Sequence, residues 1–276
     1  MLVRVVSTLV LAPLVLGAAF FGGALWSSLV AAACLLALHE AIVIARACGR
    51  RPDRVVAFPL AGALVLVPSW APGLGGGDAV LGLLALGVAG AFLAQIARAH
   101  GQRAVEDWAV TLALAVYVGS CGGLAVALRH GPAGAAWVIA LLLLTWLNDS
   151  LAFLVGRQLG RHPMAPRISP KKTWEGFAGA TIGTMAAAAA LPAFAAAVGG
   201  ALAPLADLAP ASTLLLGAGL ALVGPLGDLS KSLLKRQAGV KDSGHLIPGH
   251  GGMLDRTDSL LLGAALVWWA SLLLGR

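Results

Sequence analysis

Residues 5–38 read VVSTLVLAPLVLGAAFFGGALWSSLVAAACLLAL and hold no charged side chain. A hydrocarbon core about 30 Å thick is crossed by roughly 20 apolar residues as a helix, so this run overshoots one span and must be cut. Gly22-Gly23 is the natural break. Residues 109–128 and 135–147 are also free of charge. Of the 276 residues, 59% are apolar and 11% charged, and mean hydropathy is +0.89. Water-soluble domains run at about 45–50% and about 25%, so a single soluble globule is excluded. A transmembrane β-barrel is excluded too, because its strands alternate apolar and polar residues with period two.

The expected fold is therefore all-α: a polytopic integral membrane protein with about nine transmembrane helices. Breaks at Gly, Pro and charge place spans near 5–21, 24–45, 55–72, 79–98, 109–128, 135–156, 176–200, 212–226 and 259–274. The second apolar run follows the first at once, which favours an uncleaved first span over a signal peptide. Residues 1–134 form an N-terminal set of transmembrane helices. Residues 135–276 form a C-terminal catalytic region with polar loops at 157–175 and 227–258. With nine spans, all but two of the 19 basic residues, Arg129 and Arg276, fall on one face. Lys and Arg are enriched in cytoplasmic loops, which puts both polar loops on the cytoplasmic side. The net charge of +7 is then orientation signal plus attraction to anionic lipid heads, and nucleic acid is not an expected partner. Cys34, Cys48 and Cys121 are an odd, scattered set that suggests neither a disulfide framework nor a zinc site.

The second polar loop concentrates chemistry. It holds Asp228, Asp242, Asp255 and Asp258, four of the chain's twelve acids, with five basic residues, His245 and His250. Its glycines and Pro248 suggest a tightly turned backbone whose amides approach a ligand. Asp228, Ser232 and Lys235 are spaced i, i+4, i+7 and share a helix face; Asp255 and Asp258 share another at i, i+3. An antiparallel return would bring Asp228 and Asp255 together, where two carboxylates need a cation between them. Oxygen ligands with water to spare suit Mg²⁺, a phosphate-bearing substrate completing the shell. Lys235, Arg236 and Lys241 would hold phosphates. In the first loop, Arg167, Lys171 and Lys172 suggest a clamp for a phosphate-bearing lipid or nucleotide.

Asn148 and Asp149 lie near the end of the sixth span, where an ionisable group is by default a functional candidate. Other signals fail. His39-Glu40 opens H-E-x-x-H, but Val43 stands at the closing position, so that zinc motif is absent. There is no G-x-S-x-G and no Walker-type G-K-[ST]. Gly179 and Gly183 form G-x-x-x-G, read here as close helix packing.

Residues 232–258, SLLKRQAGVKDSGHLIPGHGGMLDRTD, closely resemble the signature of the phosphatidate cytidylyltransferase (CDP-diacylglycerol synthase) family. RISPKKTWEG at 167–176 and Asn148-Asp149 followed by AFLVGR agree with it. The resemblance covers about residues 145–262. It implies an inner-membrane enzyme that converts CTP and phosphatidic acid to CDP-diacylglycerol and pyrophosphate, and a homodimer as in other members. By position, Asp228 and Asp255 would hold the divalent metal, with a monovalent cation such as K⁺ also a family feature. Ser232 and Lys235 would contact substrate phosphates, and Lys171, Lys172 and Arg256 would be further phosphate ligands. Three positions depart from the family's pattern. Lys231 replaces an acidic residue and makes the metal site less negative, His245 replaces Asn, and Leu151 replaces Gly.

The expected chemistry is in-line nucleotidyl transfer. Asp242 and Asp258 would add outer contacts to the metal, and His250 would be either an acid or base or a structural residue. The alternatives are a secondary transporter of an anionic solute, disfavoured because the charges gather in loops without a repeat, and a CTP-dependent enzyme with another lipid acceptor, such as a polyprenol kinase.

Overall fold

The computed structural model describes residues 2–70, 76–98, 103–240, 242–244 and 251–274. Over these residues the chain forms nine α-helices: α1 (Leu2–Phe21), α2 (Gly23–Ala47), α3 (Arg54–Trp70), α4 (Gly76–Arg98), α5 (Ala104–His130), α6 (Gly134–Leu159), α7 (Trp174–Val198), α8 (Pro210–Gln237) and α9 (Leu254–Leu274). Seven are long and apolar enough to cross a membrane; α3, with 17 residues, and the apolar stretch Leu9–Phe21 of α1 are shorter. The protein is all-α and membrane-integral, as its composition requires.

Local chemistry sets the breaks. Gly22 turns the chain between α1 and α2 at φ +69°, a conformation that costs glycine little. The Arg129 guanidinium donates to the Ala19 and Phe20 carbonyls at 2.5 and 2.8 Å, satisfying acceptors that the end of α1 leaves open.

The 157–175 loop contains an unexpected element, an antiparallel hairpin of β1 (Pro163–Ala165) and β2 (Ser169–Thr173). Pro163, Pro166 and Pro170 remove the donors a helix would need. The Glu175 carboxylate fastens the hairpin's start, accepting from the Arg161 and His162 amides at 3.1 and 3.2 Å and pairing with His162 Nδ1 at 2.5 Å. Thr173 then caps α7 by accepting from the Gly176 amide at 3.2 Å.

Two compact units result: Met1–His130 with Leu234–Thr257, and Gly131–Leu233 with Asp258–Arg276. In the first, α3 packs on α5 and α2. A Cβ on Gly119 would stand 2.9 Å from Ala61 Cα, and one on Gly123 would meet the Leu64 carbonyl. The two backbones touch there, so α3 and α5 are held by small residues. In the second unit, α6 and α7 make the main helix pair. A Cβ on Gly179 would lie 2.7 Å from Val155 Cγ1, and one on Gly183 would meet Leu151. The Gly-x-x-x-Gly pattern is a packing device, as expected.

Candidate active site

Each unit carries a lysine–aspartate centre built around one of the two candidate aspartates, Asp228 or Asp255. In the second unit, α8 continues unbroken past Pro225 through Asp228. A Cβ on Gly227 would lie 2.8 Å from the Asp258 carbonyl oxygen, so only glycine permits this approach of α8 to α9. Lys172, from β2, places Nζ 2.6 Å from Asp228 Oδ2 and donates to the Pro225 carbonyl at 3.3 Å. Lys231, one turn along α8, bridges Asp228 Oδ1 at 3.0 Å and Asp258 Oδ2 at 2.7 Å. Lys231 and Asp258 are 9% and 5% exposed. A charge buried this deeply requires a partner, and each supplies the other's. Asp149 lies within electrostatic reach of Asp228, Asp258, Lys172 and Lys231. Asn148 is fully buried and accepts from Thr184 Oγ1 at 3.2 Å, which places it in the α6–α7 packing. Ser232 is half-buried on α8, and Lys171 is exposed on β2.

In the first unit the centre is Asp255, in the first turn of α9. Its Oδ1 accepts from Lys235 Nζ at 2.6 Å, and its Oδ2 accepts from the Ser243 amide and hydroxyl, both at 3.0 Å. Gly251 sits at φ +79°, and a Cβ there would stand 3.0 Å from Asp255 Oδ2. Gly244 and Gly252 likewise approach the Glu40 carboxylate, while a Cβ on Gly239 would meet nothing within 4 Å. Asp242 is exposed at the start of this segment, and Arg236 and Arg256 are exposed on α8 and α9. Lys241 and His250, and the variant position His245, lie outside the described residues.

Asp228 and Asp255 belong to different units, each with its own ammonium partners. Among the described residues no three His, Cys, Asp or Glu side chains group as a metal cage.

Sequence reading missed Glu40. This α2 side chain is 7% exposed and accepts from Ser243 Oγ at 2.7 Å, the Met253 amide at 2.8 Å and the Leu254 amide at 2.9 Å. It stabilises the start of α9, where a negative charge is favoured, and holds Ser243, which in turn holds Asp255. A signal was present, an acid within an apolar span, but His39-Glu40 registered only as a failed zinc motif. Glu40→Ala would leave the Met253 and Leu254 amides without their acceptor, at about 1–3 kcal/mol for each buried group left unsatisfied, while the Ser243 hydroxyl keeps Asp255 Oδ2. The Met253 and Leu254 amides should then exchange with solvent at least tenfold faster, whereas Glu40→Gln, which keeps one acceptor oxygen, should have a smaller effect. Unchanged exchange in Glu40→Ala would refute the tie.

Fold and site define an integral membrane protein with lysine–aspartate centres at the ends of its helices. The chain belongs to the cytidylyltransferase family, whose profile matches residues 2–274. It is similar to the phosphatidate cytidylyltransferase of Mycobacterium bovis, with 37% identity over 164 residues covering 59% of this chain and 50% of that protein. The phosphatidate cytidylyltransferase of Brucella abortus biovar 1 is also 37% identical, over 158 residues, 56% of this chain and 55% of that protein. The chain thus spans about half the length of the curated relatives it matches.

Proposed function

We propose that the chain transfers the cytidylyl group of CTP to phosphatidic acid, giving CDP-diacylglycerol and pyrophosphate. The observation that carries this reading is the pairing of lysines with the two candidate aspartates, Lys172 and the departing Lys231 on Asp228 and Lys235 on Asp255. The names of the relatives support it.

A phosphate oxygen of the lipid attacks the α-phosphorus of CTP, the bond from that phosphorus to the bridging oxygen breaks, and pyrophosphate leaves. The acceptor is already an anion, so no strong base is required; the difficulty is bringing two polyanions together. Ammonium groups held in place by carboxylates meet this need without reorganising. Lys172 and Lys235 are so held, with Lys171, Arg236, Lys241 and Arg256 as further phosphate contacts and Ser232 as a hydroxyl donor.

Mg²⁺ is the cofactor we infer, with Asp228 and Asp255 each supplying hard carboxylate oxygens; among the described residues there is no ready-made cage, in keeping with a metal held by one or two carboxylates and substrate phosphates. When bound, it would neutralise developing phosphate charge. Segregation of the basic residues supports placing both polar loops on the cytoplasmic face of the inner membrane. A homodimer rests on the family resemblance alone.

The test is turnover of radiolabelled CTP by the detergent-purified protein with phosphatidic acid and Mg²⁺. Label should enter the lipid phase only when phosphatidic acid is present. Untouched CTP, or label passing to a polyprenol instead, would overturn the reading.

A further inference from the structure

A cavity of about 570 Å³ opens in the first unit where α2 ends, lined by Arg46, Gly49, Arg50, Arg51, Pro52 and Arg98. Four of its six lining residues are arginines. Gly49, at φ +76°, turns the chain so that the last turn of α2 and the segment after it contribute to one wall.

The arginines divide into two pairs. Arg98 Nη2 lies 2.7 Å from Asp53 Oδ2, and Asp53 is itself fixed: it is 2% exposed, and its other oxygen accepts from the Val55 amide at 2.8 Å. Arg50 is paired with Glu106. These two guanidinium groups are held by carboxylates and shape the wall. Arg46 and Arg51 are different. Both are exposed, and among the described residues neither guanidinium has a carboxylate partner, although the Arg51 amide is anchored on Asp107 Oδ1 at 2.7 Å. The cavity therefore presents two uncompensated guanidinium forks on an anchored backbone, beside two that are already neutralised.

We propose that this cavity binds a phosphate group, with Arg46 and Arg51 as its bidentate donors. Planar guanidinium forks match phosphate oxygens in geometry, and the excess of two positive charges suits a group carrying one or two negative charges. The end of a membrane helix is also where lipid headgroups lie. The site uses none of the residues assigned to cytidylyl transfer and does not depend on that activity.

The experiment titrates the full chain in phosphatidylcholine nanodiscs with fluorescent phosphatidylglycerol, whose diester phosphate is no acceptor for nucleotidyl transfer. The variant Arg46→Gln/Arg51→Gln leaves the Asp53 and Glu106 pairs intact and should melt as the parent does, yet bind at least tenfold more weakly. A control, Arg157→Gln/Arg161→Gln, removes the same charge elsewhere and should bind as the parent does. Inorganic phosphate is the second probe. If it fails to compete, the site takes a lipid headgroup; if it competes and competition needs Arg46 and Arg51, the site takes free phosphate. Equal weakening in the cavity and control variants, or none in the cavity variant, overturns the proposal.

Discussion

Lys231→Met should lower the melting temperature of the purified protein by on the order of 10 °C, from a loss of about 3–5 kcal/mol. Methionine matches the lysine stem in length and apolar character, so packing changes little and the loss is electrostatic. Lys231 is the ammonium between Asp228 Oδ1 and Asp258 Oδ2. Without it, Asp258, 5% exposed, becomes a buried carboxylate with no counter-charge, facing Asp228 across the gap. Breaking one side of a buried pair costs more than replacing both. The double variant Lys231→Met/Asp258→Asn should therefore recover more than half of the loss, a coupling that a double-mutant cycle reads directly. If Lys231→Met melts within about 2 °C of the parent, or the second change adds to the loss, the bridge is not holding this centre together. The departure of Lys231 from the family's acidic residue then has a structural meaning: the chain supplies a tethered cation of its own to a pair of aspartates.

Asp255→Asn should reduce the proposed cytidylyl transfer by two orders of magnitude or more, the scale seen when one preorganised electrostatic contact is removed from an active site, while the protein remains monodisperse. Both carboxylate oxygens are in use, one toward Lys235 and the other toward Ser243. Asparagine has a single acceptor oxygen. Whichever way the amide turns, its NH₂ group faces a donor, the Lys235 ammonium or the Ser243 amide and hydroxyl. The lysine loses its anchor. Retention of more than about a tenth of the parent rate, where loss of a preorganised contact costs far more, would remove Asp255 from the reaction.

Much of the fold followed from short-range rules. The uncharged run at 5–38 had to be divided, and Gly22 divides it at positive φ. Asp228, Ser232 and Lys235 were spaced for one helix, and α8 carries all three without a break. The hairpin at Pro163–Thr173 was not foreseen, because three short segments rich in proline lack a long apolar period to announce them. The lysine–aspartate pairs are half legible: helix spacing points to Asp228, Lys235 and Asp255, but nothing local shows that Lys172 meets Asp228.

The membrane-spanning helical architecture, and the cluster of charges that an apolar chain has no reason to keep, are legible without any tertiary contact. Both follow from composition and from periods of a few residues, which local sequence carries. Tertiary structure alone decided that Leu234–Thr257 packs with the first 130 residues, that Glu40 holds Ser243 and the start of α9 across more than 200 residues, and that Lys231 stands between two aspartates. A buried charge finds its partner by desolvation and geometry, and these depend on which helices meet, not on how far apart their residues lie along the chain.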